Sequence, residues 1–183
     1  MNLWSLPKTA TIGGVRYEIN ADFRDVLEII GYLNDNTRPA FVRWQIALGL
    51  FYEGEIPKQH QEEAMQHLSA FIGYGSKEEK QSPKLIDWEQ DAQIIVGDVN
   101  KVAGVMDIRD TPFLHWWTFL SYFYSVGEGQ LSTIVSIRSK KQKGTKLEKW
   151  EEAYYRDNKD RIDFKKQATP EDKAVQEYFS KWL

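Results

Sequence analysis

The chain has 183 residues, with 24 Lys and Arg against 27 Asp and Glu and a formal net charge of −3, so no global positive field draws it towards nucleic acid. It has no cysteine, which excludes a disulfide framework, thiolate catalysis and a cysteine-ligated metal centre. Its most apolar stretch, "FVRWQIALGLFY", is interrupted by Arg43 and Gln45 and falls short of the roughly 20 residues that a membrane helix needs.

"MNLWSLPK" lacks the basic start and the apolar core of a secretory signal, and the expectation is a soluble protein without a membrane partner. Aromatic residues make up 14% of a chain that is also 28% charged. Either the core is aromatic-rich or some aromatics await a partner.

The opening reads as a β-hairpin: "TATI" and "VRYEI" are β-prone, and Gly13-Gly14 between them supplies a two-residue turn. The remainder reads as helices, which gives a mainly α, bundle-like domain with a small N-terminal hairpin. Asp22 is placed to cap a helix over "FRDVLEIIGYL". Pro39 opens the next, in which Phe41, Trp44, Ala47, Leu48 and Phe51 follow helical spacing. A third, after Pro57, puts Met65, Leu68 and Ile72 on one face.

Residues 74–84, "YGSKEEKQSPK", are polar and bracketed by Gly75 and Pro83. They read as a linker between an N-terminal part, 1–73, and a helical C-terminal half, 85–183, of one 183-residue unit. A helix restarts at Asp87, with Gln90 at the capping-box position and Trp88, Ala92, Ile95, Val99 and Val102 as its apolar stripe.

"PFLHWWTFLSYFYSV" follows. On its wheel Thr118, Ser121 and Ser125 form one narrow polar stripe that would let another helix approach closely, and the rest is large and apolar. Such a helix belongs between neighbours, so His115, Trp116, Trp117, Phe119 and Phe123 are expected in the core, with His115 bonded to a backbone carbonyl. The alternative is an exposed aromatic platform. After "LSTIVSIRSKK", Thr145 and Glu148 suggest a capping box ahead of Leu147, Trp150 and Tyr154, with Trp150 a further candidate core residue, and Glu152 and Arg156 an i,i+4 pair. Thr169, Pro170, Glu171 and Asp172 mark the start of a last helix.

Few residues suggest chemistry. His60, Glu63 and His67 share a helix face and could hold zinc, but two turns of helix separate the histidines by roughly 10.5 Å, so a solvated face is the better reading. His115 could serve as a general base, yet Asp110 and Ser121 form no recognisable arrangement with it. No nucleophile elbow, P-loop or dinucleotide fingerprint occurs. No catalytic residue, cofactor or metal is assigned. "RSKKQKGTKLEKW" holds six cations and one acid. With Trp150, Tyr154 and Tyr155 after it, the segment could bind nucleic acid by stacking, although lysines at a helix end also suit the dipole.

The stretch "DIRDTPFLHWWTFLSYFYSVGEGQLSTIVSIRSKKQKGTKLEKWEEAYYRDNKD", preceded by "DWEQDAQIIVGDVNKVAG", resembles the bacteriophage gene-product-fifteen family of siphophages and prophages of Gram-positive bacteria. The carriers are "LHWW" with its aromatic helix, "IVSIRSKKQKGTKLEKWE" and "YYRDNKD"; the resemblance is strong over 87–166 and weaker before. It implies a non-enzymatic tail-assembly chaperone that coats the tape-measure protein in the host cytoplasm and is absent from the finished virion. Further implied partners are a second copy of the chain or a longer, frameshifted form. No catalytic residues carry over. A nucleic-acid-binding phage protein and a structural tail component remain as alternatives. The expected contact with the client, or with a neighbouring subunit, is the C-terminal stripe Val175, Tyr178, Phe179 and Trp182, spaced i, i+3, i+4, i+7.

Overall fold

Gly13 and Gly14 set the first turn: both take positive φ, 57° and 79°, the pair of values that a two-residue hairpin turn demands. The computed structural model describes residues 4–75 and 84–165. Strands β1 (Thr9–Ile12) and β2 (Val15–Glu18) pair antiparallel, from Thr9 opposite Glu18 to Ile12 opposite Val15. Ala10 and Ile12 are buried, as the two-residue period of a half-buried strand requires.

Helix α1 (Phe23–Asn34) starts where Asp22 accepts from the Arg24 amide, the expected cap. α2 (Ala40–Phe51) starts after Pro39 and packs on α1. It buries Ala47, Leu48 and Phe51, but Phe41, assigned to that face from its spacing, is 69% exposed and Trp44 is half-buried. Phe41 lies in the first turn of the helix. After a 3₁₀ turn at Lys58–His60, α3 (Gln61–Ile72) turns Ala64, Leu68 and Phe71 inward. Its buried face is thus rotated from the expected one, and Met65 and Ile72 sit at the edge of the core.

In the second part, α4 (Ala92–Ala103) begins five residues later than expected. Asp87 does accept from the Glu89 and Gln90 amides, but only as a turn. Gln90 caps nothing; its amide group donates to the carbonyls of Arg161 and Asp163. α4 ends at Gly104, whose φ of 66° is a left-handed cap. Val102, at the end of the expected stripe, is exposed.

A 3₁₀ turn at Ile108–Asp110 leads to α5 (Trp116–Tyr124). α6 (Gln130–Gln142), α7 (Lys149–Asp157) and the single turn α8 (Lys159–Ile162) complete the described chain. The cap of α7 lies three residues after the expected one: the Glu148 amide donates to Glu151. Arg156 pairs with Asp157 rather than Glu152.

Helix α5 is central. Trp116, Trp117, Phe119, Leu120 and Phe123 are buried. Phe119 stacks on Phe23 of α1 at 4.9 Å, Trp117 on Phe71 of α3 at 5.7 Å, and Trp88 meets Phe123 at 5.1 Å. The indole N–H groups of Trp116 and Trp117 donate to the carbonyls of Ile72 and Phe71, at the end of α3. Each such aromatic removes about 150–250 Å² from water, worth about 4–6 kcal/mol before entropy is counted.

One hydrophobic cluster therefore runs from the hairpin through α1–α3 to α4, α5 and Leu131, across the position of the expected linker. Most of 74–84 lies outside the described residues. A second, small cluster joins Ile134, Ile137 and Ile162. The polar stripe of α5 works differently from its expected role: Ser121 and Ser125 are exposed and, among the described residues, receive no second helix.

Candidate partner-binding surface

His115 stands at the start of α5 and is 2% exposed. Its Nδ1 accepts from the Trp117 amide, and its Nε2 lies 2.9 Å from the Pro7 carbonyl. The ring is therefore a neutral tautomer that donates from Nε2. Burial lowers its pKa, and the charge of Lys8 acts in the same direction against the Pro7 hydrogen bond. This is a helix cap and a strap on the N-terminal segment; the bond to a backbone carbonyl was expected, the cap and the tie to Pro7 were not. Both ring nitrogens are used, which leaves none for a proton transfer to a substrate.

The three-residue set on α3 divides. His60 faces Glu63 at 4.0 Å. His67, read as part of a solvated face, is instead tucked against Phe51 and Tyr52, with Nδ1 3.0 Å from the Tyr52 hydroxyl. That hydroxyl donates to the Ala64 carbonyl, so His67 Nδ1 is the donor to it. Burial lowers the His67 pKa against the opposing charge of Glu63, and raises that of Tyr52. Among the described residues no group of three or more His, Cys, Asp or Glu is placed to hold a metal ion.

Half of the cations of the basic segment are engaged within the fold. Arg138 is 3% exposed and forks onto Asp91, with 2.6 and 2.9 Å contacts. Its remaining N–H groups reach the carbonyls of Leu85, Arg161 and Ile162, and the Phe164 ring lies 4.2 Å over the guanidinium. Lys140 contacts both carboxylate oxygens of buried Glu151 at 2.7 Å. Lys141 pairs with Asp163 and sits 3.7 Å over the Tyr155 ring. Three of the six cations thus hold α4, α6, α7 and α8 together. Trp150, expected in the core, is 56% exposed and donates its indole N–H to Glu148; its spacing matched the helical stripe, but among the described residues no element covers that side of α7.

The surface left for partners is apolar at several separate places. Phe41 and Val42 stand out from the first turn of α2, Tyr124 from α5, and Met106 and Phe113 from the connection between α4 and α5. Tyr124 meets Tyr74 at 6.4 Å. A cleft of about 370 Å³ opens between α1, α2 and α3. Its walls are Ile30, Leu33, Trp44 and Ile72, with Asn34, Ser69 and Gly73 at the rim.

Arg43 also lines this cleft. Its Nη1 donates to the Leu33 carbonyl at 2.6 Å and to Asn36 at 3.3 Å. Its Nε is buried and has no acceptor among the described residues. Sequence reasoning used Arg43 only to reject a membrane span. The signal that could have found it was an arginine in the middle of "FVRW", one residue from each of two large apolar side chains. A second depression is lined by Gln90, Asp91, Ile94, Asp98, Gln130 and Arg161, so that of the buried ion pair only Asp91 borders it. The C-terminal stripe Val175, Tyr178, Phe179 and Trp182 lies outside the described residues.

A family model described as bacteriophage Gp15 protein matches residues 4–164, which takes in the N-terminal helices as well as the motif-bearing half. No curated protein and no solved structure matches the chain.

Proposed function

This chain belongs to the family of bacteriophage Gp15 proteins, and on that premise we propose that it is a non-enzymatic tail-assembly chaperone. It binds the tape-measure protein and keeps it soluble until the tail tube forms around it. It works in the host cytoplasm and leaves before the virion is complete.

The observation that supports client binding is the pairing of two surfaces on one small protein. Large apolar side chains, Phe41, Met106, Phe113 and Tyr124, stand in solvent, on a chain that is 28% charged. A protein that holds an aggregation-prone client needs both: apolar area to cover the client and charge to keep the complex dispersed. The C-terminal stripe Val175, Tyr178, Phe179 and Trp182 is the element assigned to the client, in helix-in-groove fashion.

The test is co-expression with the tape-measure protein of the same phage, followed by affinity capture of this chain. Tape-measure protein in the soluble fraction and in the eluate is the expected result, lost in a chain that ends at Gln167. Tape-measure protein that stays insoluble, with this chain eluting alone, overturns the proposal. Presence of the chain in purified virions would favour a structural tail component instead, and salt-sensitive retention on DNA a nucleic-acid-binding protein.

A further inference from the structure

We propose that the connection between α6 and α7 is a docking surface for an acidic, partly apolar segment of another protein, received by Lys143, Lys146, Lys149 and Trp150. The inference rests on this surface alone and does not depend on the tape-measure reading.

The basic stretch 138–150 divides in two. Arg138, Lys140 and Lys141 are consumed by Asp91, Glu151 and Asp163. Lys143, Lys146 and Lys149 are exposed, and among the described residues no carboxylate pairs with them. The acid between them, Glu148, is turned to the Trp150 indole at 2.9 Å and lies 3.9 Å from Lys140. Three uncompensated ammonium groups so close along the chain repel one another, a cost that nothing within the fold offsets.

The backbone that carries them is fixed. Gly144 takes a φ of 66°, and the Thr145 amide donates to the Lys140 carbonyl at 2.8 Å, which closes the end of α6 in a left-handed turn. Leu147 packs on the cluster of Ile134, Ile137 and Ile162, and the Glu148 amide donates to Glu151 at the start of α7. The lysines are therefore attached at settled points, and an occupant has only their side chains to order on binding.

Trp150 supplies the apolar part. Its ring is 56% exposed while its N–H is already satisfied by Glu148, so the ring can be covered without stranding a donor. An aromatic side chain beside a charged rim is the kind of anchor that carries most of an interface's binding energy.

Charge complementarity selects the occupant. The lysines call for carboxylates, and the indole for an apolar side chain among them. A nucleic acid shares the negative charge but fits less well. Its phosphates continue past the lysines, towards the exposed acids Glu152 and Asp157 of α7, on a chain whose net charge is −3. Non-specific affinity grows with the number of phosphates neutralised, and only three cations are free here. A peptide can end where the lysines end.

The test is fluorescence anisotropy on the full chain with a labelled peptide of repeated Glu-Glu-Leu units. The same peptide with Gln for Glu, and a labelled oligothymidylate, serve as comparison probes. The acidic peptide should bind, more weakly as salt is added, and the Gln peptide should not. Lys143→Glu, Lys146→Glu and Lys149→Glu should each weaken binding about fivefold, the upper end for an exposed charge pair. Trp150→Ala should weaken it about tenfold. All four side chains are exposed, so each variant should keep the parent's circular dichroism, and each reads the surface separately. Reversing Lys8, Arg16 and Lys58 together, which changes the net charge as much as reversing the three loop lysines, should leave binding unchanged.

Four results overturn the proposal. One is a parent chain that does not bind the acidic peptide. The second is a Gln peptide bound as tightly. The third is an affinity that falls no further with the loop lysines reversed than with Lys8, Arg16 and Lys58 reversed. The fourth is an oligothymidylate bound more tightly than the peptide and lost in the same loop variants, which makes nucleic acid the occupant. None of these bears on whether the tape-measure protein is captured, so failure here is distinct from failure of the chaperone reading.

Discussion

His115 satisfies two backbone groups with one uncharged ring: it accepts from the Trp117 amide and donates to the Pro7 carbonyl. Protonation puts a hydrogen on Nδ1, facing the Trp117 N–H, and removes the cap. His67 is also held below its ordinary pKa by burial. For both, the folded pKa lies under the unfolded value of about 6.5, so the unfolded chain binds more protons in the window below neutrality. Their stabilising contribution is complete above that value and is lost as pH falls through the folded pKa values. Melting temperature should therefore decline between pH 7.5 and 5.5, before the carboxylates titrate. His115→Asn keeps a capping oxygen and cannot titrate, so its decline over the same interval should be shallower than that of the parent chain. Equal slopes in thermal melts of the two would show that His115 is not a source of the acid sensitivity.

At the scale of elements, the join of α4, α6 and α8 depends on one side chain. All five N–H groups of Arg138 find acceptors: two on Asp91 and one each on Leu85, Arg161 and Ile162. Breaking a buried pair strands the remaining charge, at about 3–5 kcal/mol. Arg138→Met or Asp91→Leu alone should lower the unfolding free energy from urea titration by an amount of that order. The double variant should lose much less than the sum, because it strands neither charge. Additive losses in the urea series would mean that the pair is not coupled.

The same ion pair explains part of what the sequence concealed. The hairpin turn and the Asp22 cap were legible, because they depend on Gly13, Gly14 and the Arg24 amide within a few residues. The start of α4 was not. Asp91 is committed to Arg138, 47 residues away, and to the Asp87 amide, and that long-range demand delays the helix to Ala92. Trp150 misled in the opposite way: it has the spacing of a core residue, yet Glu148 meets its polar edge and, among the described residues, no neighbouring element covers its ring. The cleft and its half-satisfied arginine were invisible for a third reason. Periodicity tells which face of a helix is apolar but not whether three such faces close completely on one another.

For the molecule as a whole, the question is whether the two parts of the chain are separate folding units. The core answers through α5. Trp116 and Trp117 are bonded to the last carbonyls of α3, Phe119 is stacked on α1, and His115 is tied to Pro7. Among the described residues α4 packs on α5 through Ile95 and Val99, but it supplies none of these bonds and stacks, and the separate cluster of Ile134, Ile137 and Ile162 is small. A fragment of 84–183 would then expose the aromatic face of α5, and with it an apolar area larger than soluble monomers carry. It should aggregate or melt without a cooperative transition. Co-expression of 1–75 with 84–183 should restore a soluble 1:1 complex, since the shared interface is an interior cut in half. The complex should show one calorimetric transition, at a lower temperature than the intact chain because the two pieces must now find each other. If the 84–183 fragment alone is monomeric and melts cooperatively, the aromatic helix has sufficient partners in its own half. The segment at 74–84 would then be a true domain boundary.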